Sequence, residues 1–123
     1  MQPLALVLYE KLLPGTQVVN RLQDLGWRVQ TLNDEAALTH IAEEHKPMIV
    51  VADLLSTCKN ICNGITHLRR NPNTSHIPVI AFTAESDQKV FDNALAAGAT
   101  VVVSDTAILQ HLNQFIQQAL SEF

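Results

Sequence analysis

The chain has 123 residues, 47% of them hydrophobic and 16% charged, and a formal charge of −4. That is enough apolar material for one globular domain over 1–123 with its own core, while a negative balance with no stripe of Lys and Arg argues against nucleic acid as a direct partner. No apolar run approaches the ~20 residues of a membrane span, and Glu10 and Lys11 follow a very short apolar start with no positive leader, so neither a membrane segment nor a signal peptide is expected.

Leu4 to Leu8 is a continuous apolar run closed by Tyr9-Glu10, which reads as a first, buried strand. Pro14-Gly15-Thr16 is turn chemistry. Thr16 is the expected N-cap of a helix carrying Val18, Val19, Leu22 and Leu25 at helical spacing, and Gly26 ends it. Trp27 to Leu32 alternates, as an edge strand would. Asn33 is placed to cap a second helix with Asp34 and Glu35 in its first turn and Ala37, Leu38, Ile41 and Ala42 as its apolar stripe, and Pro47 blocks its continuation. Met48 to Ala52 is apolar without alternation, the habit of a strand buried on both faces, and Asp53 follows at once.

Ser56 to Gly64 is polar with no clear period and reads as a long loop. A third helix is then expected through Ile65, Leu68 and Arg69, ending before Pro72. Ile77 to Phe82 is a fourth strand ending in Thr83-Ala84. Ser86 caps a helix with Val90, Phe91, Ala94 and Leu95, and Gly98 terminates it. Thr100 to Val103 is the fifth strand, ending in Ser104-Asp105. Thr106 is the expected cap of a last helix with Ile108 or Leu109, Leu112, Phe115, Ile116 and Leu120 inward.

Strands alternating with helices imply right-handed crossovers and a parallel sheet covered on both faces. The expected fold is α/β, a doubly wound five-stranded sheet of order 2-1-3-4-5 in a flavodoxin-like three-layer sandwich. That order puts the alternating strand at an edge and the switch point between the first and third strands. Glu10 and Asp53 would face each other there, with Thr83 and Asp105 on neighbouring loops, because ligands in open α/β sheets lie at the carboxyl ends of the strands.

Other chemistries find little support. Cys58, Cys62 and His67 have loose spacing and no fourth ligand for zinc, and two reduced cysteines, one packed inward, suit a reducing cytoplasm. There is no G-x-S-x-G and no Gly-rich loop after the first strand, so hydrolase and nucleotide-binding readings lack a basis.

Val51-Ala52-Asp53-Leu54, Ile77-Pro78-Val79-Ile80-Ala81-Phe82-Thr83-Ala84 and Ala96-Ala97-Gly98-Ala99, at their spacing, resemble the receiver domain of two-component response regulators over nearly the whole chain. The resemblance implies that Asp53 matches the phosphoacceptor and Thr83 the switch hydroxyl. It also implies that Mg²⁺ would be held by Asp53, an acidic pair after the first strand and a backbone carbonyl near Leu55. The family pattern is broken elsewhere: the acidic pair is Tyr9-Glu10, the aromatic switch partner is Val102, and the lysine after the fifth strand is Asp105, followed by Thr106 in place of proline. With Glu10 and Asp53 as the remaining carboxylates, Mg²⁺ binding should be weak, and no cofactor is required.

The resemblance therefore implies a degenerate or pseudo-receiver rather than an enzyme. It would act in the cytoplasm through protein–protein contact with a sensor kinase, an output domain or a second copy of itself. The partner face expected from the family comprises Val90, Phe91, Leu95, Ile108, Leu109 and Leu112. The competing expectation is a working Mg²⁺-dependent phosphoacceptor, phosphorylated at Asp53.

Overall fold

The computed structural model describes residues 3–8, 12–32, 37–54, 58–83 and 88–121, without the side chains of 12–15, 58–61 and 121. Its elements follow in strict alternation: β1 (Leu4–Leu8), α1 (Leu12–Asp24), β2 (Arg28–Leu32), α2 (Leu38–His45), β3 (Ile49–Asp53), α3 (Cys58–Arg70), β4 (Val79–Thr83), α4 (Gln88–Ala97), β5 (Val101–Ser104) and α5 (Asp105–Ser121). The five strands form one parallel sheet in the order β2-β1-β3-β4-β5, the doubly wound arrangement expected from the sequence.

The hydrophobic patterns follow from this order. β3 and β4 are central, and every residue in both is buried, so neither strand alternates. β2 and β5 are the edges, where the pattern loosens to partial exposure. Val18 and Leu22 of α1 join Ile108, Leu112, Ile116 and Ala119 of α5 over one face of the sheet, against Val7, Val51 and Phe82. Leu38 and Ala42 of α2, Ile65 and Leu68 of α3 and Ala94 of α4 cover the other, against Leu6, Val50 and Ala81. Burying a side chain of this size contributes about 1.5–3 kcal/mol, so these two layers carry most of the stability. Among the described residues, no helix is long and apolar enough to cross a membrane.

Two local expectations are corrected. α1 begins at Leu12, so Pro14 and Gly15 lie in its first turn and Thr16 is inside the helix rather than its cap. Proline is tolerated there because the first amides have no helical partner. α3 begins at Cys58, so most of the Ser56–Gly64 stretch is helix rather than loop. Cys58 and Cys62 are therefore one helical turn apart, and half-buried Cys62 packs against the core. Asn33, Asp34, Glu35 and Ser86 lie outside the described residues.

The connections at the amino ends of the strands are built with care. Gly26 and Gly98 follow α1 and α4 with φ of +92° and +119°, the left-handed geometry that glycine adopts cheaply. The same position after α2 is held by Lys46, at φ +50°, whose amide donates to Ala42 O at 2.9 Å. Arg69, near the end of α3, ties this end of the molecule together. Its Nε donates to Gly98 O, one terminal nitrogen to Ser75 O and Ile77 O, and the other to Thr100 Oγ1, each at 2.7 Å. Burial lowers the guanidinium pKa below the usual arginine value.

The two glycines should respond differently to alanine. A Cβ on Gly26 meets nothing within 4 Å, whereas one on Gly98 falls 2.5 Å from Arg69 Cγ. Gly26→Ala should cost about 1 kcal/mol of backbone strain, and Gly98→Ala roughly 2–3 kcal/mol once the clash is added. Urea unfolding of the two variants measures the difference.

Candidate functional site

Three strands end side by side at the carboxyl edge of the sheet. Asp53 is the last residue of β3 and lies in register with Phe82 of β4, while Thr83, the last of β4, is in register with Ser104, the last of β5. The Leu54 amide donates to Phe82 O at 2.9 Å, which fixes the end of β3 against β4. Asp53 and Thr83 are only 1% and 2% exposed. Together with Thr74 they are the buried polar or charged residues of the described chain.

By strand alternation Asp53 continues the row of Ile49 and Val51 toward α1 and α5. Thr83 continues the row of Val79 and Ala81 toward α3 and α4. A carboxylate and a hydroxyl are thus held at adjacent strand ends by strands buried on both sides.

The end of β5 is organised differently from the expectation. The chain enters α5 with no intervening loop. Ser104 Oγ accepts from the Ala107 amide at 3.0 Å and so provides the N-cap, while Thr106 is exposed in the first turn. Asp105 is the first helical residue, and its Oδ1 accepts from the Thr106 amide at 3.0 Å. The negative charge there is at the favourable end of the helix dipole and follows Ser104, which is in register with Thr83 on the neighbouring strand. Half-buried Val102 packs with Val90 against the α2–α4 side of the core. Tyr9, Glu10 and Leu55 lie outside the described residues. Among the described residues no group of three or more His, Cys, Asp or Glu could hold a metal ion.

The expected partner face does not hold together as one surface. Ile108 and Leu112 are 0% and 3% exposed, because α5 turns them onto the sheet, and neither is available to a partner. Leu109 is half-buried beside α1, and Val90 is half-buried against the core. Phe91 is half-buried, and Leu95, at 53% exposed, is the large apolar side chain that α4 presents to solvent. The apolar content of α5 serves the core because its sheet face, unlike that of α4, takes an aliphatic residue at nearly every inward position.

The architecture, a parallel sheet of order 2-1-3-4-5 with acidic and hydroxyl side chains at its carboxyl edge, defines a doubly wound α/β protein of flavodoxin-like topology. It is, more narrowly, the receiver fold. The receiver domain of a sensor histidine kinase from Pseudomonas aeruginosa, solved with magnesium coordinated in its active-site cleft, superposes with a TM-score of 0.86 at 21% identity, covering 98% of this chain and 99% of that one. A response regulator from Thermotoga maritima gives a TM-score of 0.80 at 21% identity over 98% and 99% of the two chains. The receiver domain of a signal transduction histidine kinase from Syntrophus aciditrophicus gives 0.83 at 18% identity over 98% and 91%. No protein-family model matches the sequence, and no curated protein matches it.

Proposed function

We propose that this chain is a receiver-type signalling domain of a two-component phosphorelay that acts by protein–protein contact, with phosphorylation at Asp53 impaired or absent. The observation that carries the reading is Asp105. An anion opens α5 at the strand edge where the receiver resemblance implies a lysine, and its carboxylate is engaged with the helix amide of Thr106. A phosphoryl group on Asp53 would bring further negative charge to that edge, where no cation among the residues named offsets it, and like charges near a protein surface repel by roughly 1 to 4 kcal/mol at close approach.

Asp53 and Glu10 are the residues that would hold Mg²⁺, whose part in such chemistry is to neutralise charge on the phosphoryl oxygens. Tyr9 in place of an acid weakens that set. The domain is then a cytoplasmic binding module rather than an enzyme, and it answers to a sensor kinase or an output domain or pairs with its own kind. The second reading, a working phosphoacceptor, draws on the burial of Asp53 and Thr83 at adjacent strand ends.

A Mg²⁺ titration followed by amide chemical shifts tests the proposal. Shifts at Asp53, Thr83 and Ser104 should stay flat through the low millimolar range. Saturable shifts there below about 1 mM, lost in Asp53→Asn, would favour the phosphoacceptor reading.

A further inference from the structure

α1 and α5 lie side by side over one face of the sheet, and their outward surface is poor in charge. After Asp105 at its start, α5 carries no Asp, Glu, Lys or Arg, so from Gln110 to Gln118 its exposed positions are amides and His111. α1 carries one cation and one anion, Arg21 and Asp24. A helix on a free surface ordinarily turns a charged face to water, whereas the centre of an association surface is depleted of charge.

Between the two helices are two hollows of about 310 and 140 Å³. Arg21, Asp24 and Leu109 line both, so the hollows adjoin. Leu25 lines the smaller one and is 43% exposed, and Leu109 is half-buried. The exposed amides Gln17, Asn20, Gln110 and Asn113 supply most of the remaining wall.

Arg21 and Asp24 are exposed and about one helical turn apart. The ion pair found among the described residues is His40–Glu44, so neither charge has an opposite charge in ion-pair range within that set. A face with one cation beside one anion is neutral as a whole, and an acidic or a basic partner would meet repulsion on half of it. Such a face complements itself under a two-fold rotation, which brings each charge of one copy to the opposite charge of the other. On a chain of net charge −4, it is also a surface where two copies approach with little repulsion.

We propose that this face pairs two copies of the chain in a two-fold dimer, with α1 antiparallel to its copy. Arg21 of each protomer then meets the partner's Asp24, and Leu25 and Leu109 are covered. Two helix faces offer less than the ~1,200–2,000 Å² of a stable interface, so the dimer is reversible rather than obligate. The inference gives a surface to the self-pairing named under the proposed function. It depends on neither Asp53 nor Mg²⁺, so its failure would leave that reading of the phosphorylation site standing.

Sedimentation velocity of the full chain, from about 10 µM to about 1 mM, tests it. A reversible monomer–dimer equilibrium is expected, weakened roughly tenfold or more in Arg21→Asp and in Asp24→Arg, since each reversal sets like charges together twice across the axis. An equimolar mixture of the two variants should recover dimerisation, because the acidic face of one then meets the basic face of the other. That recovery would also exclude misfolding as the cause of the losses. The proposal is overturned if the unmodified chain stays monomeric at about 1 mM, if it dimerises equally well with either charge reversed, or if the mixture stays monomeric.

Discussion

Replacing Arg69 with methionine is expected to destabilise the protein by about 3 kcal/mol and to lower its melting temperature by roughly 10 °C. The methionine keeps most of the apolar stem but removes four donors at once. Three of their acceptors, Gly98 O, Ile77 O and Thr100 Oγ1, are in partly buried surroundings where water replaces the guanidinium poorly. Charged hydrogen bonds contribute about 1.5–3 kcal/mol each when taken singly, and four bonds from one group are not additive, so the sum is held well below four times that. Arg69→Lys should recover less than half of the loss, because an ammonium cannot present the fork that reaches the α4–β5 connection and the turn before β4 together.

The same side chain supplies the steric part of the Gly98→Ala penalty. Combining Arg69→Met with Gly98→Ala should therefore cost less than the sum of the two, and a double-mutant cycle by urea unfolding checks it. Strict additivity would mean that Arg69 and Gly98 do not act as one unit.

How much of this was legible in the sequence depends on the range of each interaction. β3 announces itself because its two buried faces leave a run from Ile49 to Ala52 with no polar residue, and Asp53 then marks the edge. The sheet order follows from strand–helix alternation and chirality, and it was correct. The start of α1 was hidden by Pro14-Gly15, which read as a turn though a helix tolerates them in its first turn. The start of α3 was hidden because Lys59, Asn60 and Asn63 break the apolar period, and Gly64, buried within the helix, resembles a stop.

At the end of β5 the cap was placed two residues late, since strand and helix abut at Ser104 with no loop between them. The placement of Asp53 and Thr83 at the carboxyl ends of their strands was legible from position alone. Arg69 was not: its partners lie up to 31 residues away, and no local pattern marks a side chain that ties the α4–β5 connection to the turn before β4. The left-handed Lys46 was equally silent, because lysine before proline looks like any loop residue.

The second large effect concerns charge rather than packing. On the proposed reading, Asp105→Lys is expected to create uptake of phosphate from acetyl phosphate that the unmodified chain should not show, with the adduct dependent on Asp53 and on Mg²⁺. The substitution reverses the charge at the strand edge, and a swing of two units close to a dianionic phosphoryl group is worth on the order of several kcal/mol. It should also cost about 1 kcal/mol of stability, because Asp105 is favourable at the start of α5 and its Oδ1 holds the Thr106 amide. Adding Tyr9→Asp restores the second acid that the receiver resemblance implies and should increase the yield further. Failure of the double variant to react would place the defect elsewhere than in the charge balance.

The unmodified chain gives the most direct measurement of all. Incubated with acetyl phosphate and excess Mg²⁺ and read by intact mass, it should remain at its unmodified mass while Asp105→Lys acquires a phosphoryl adduct that disappears in the Asp53→Asn background. A stoichiometric adduct on the unmodified protein, abolished by Asp53→Asn alone, would contradict the account and identify a working phosphoacceptor.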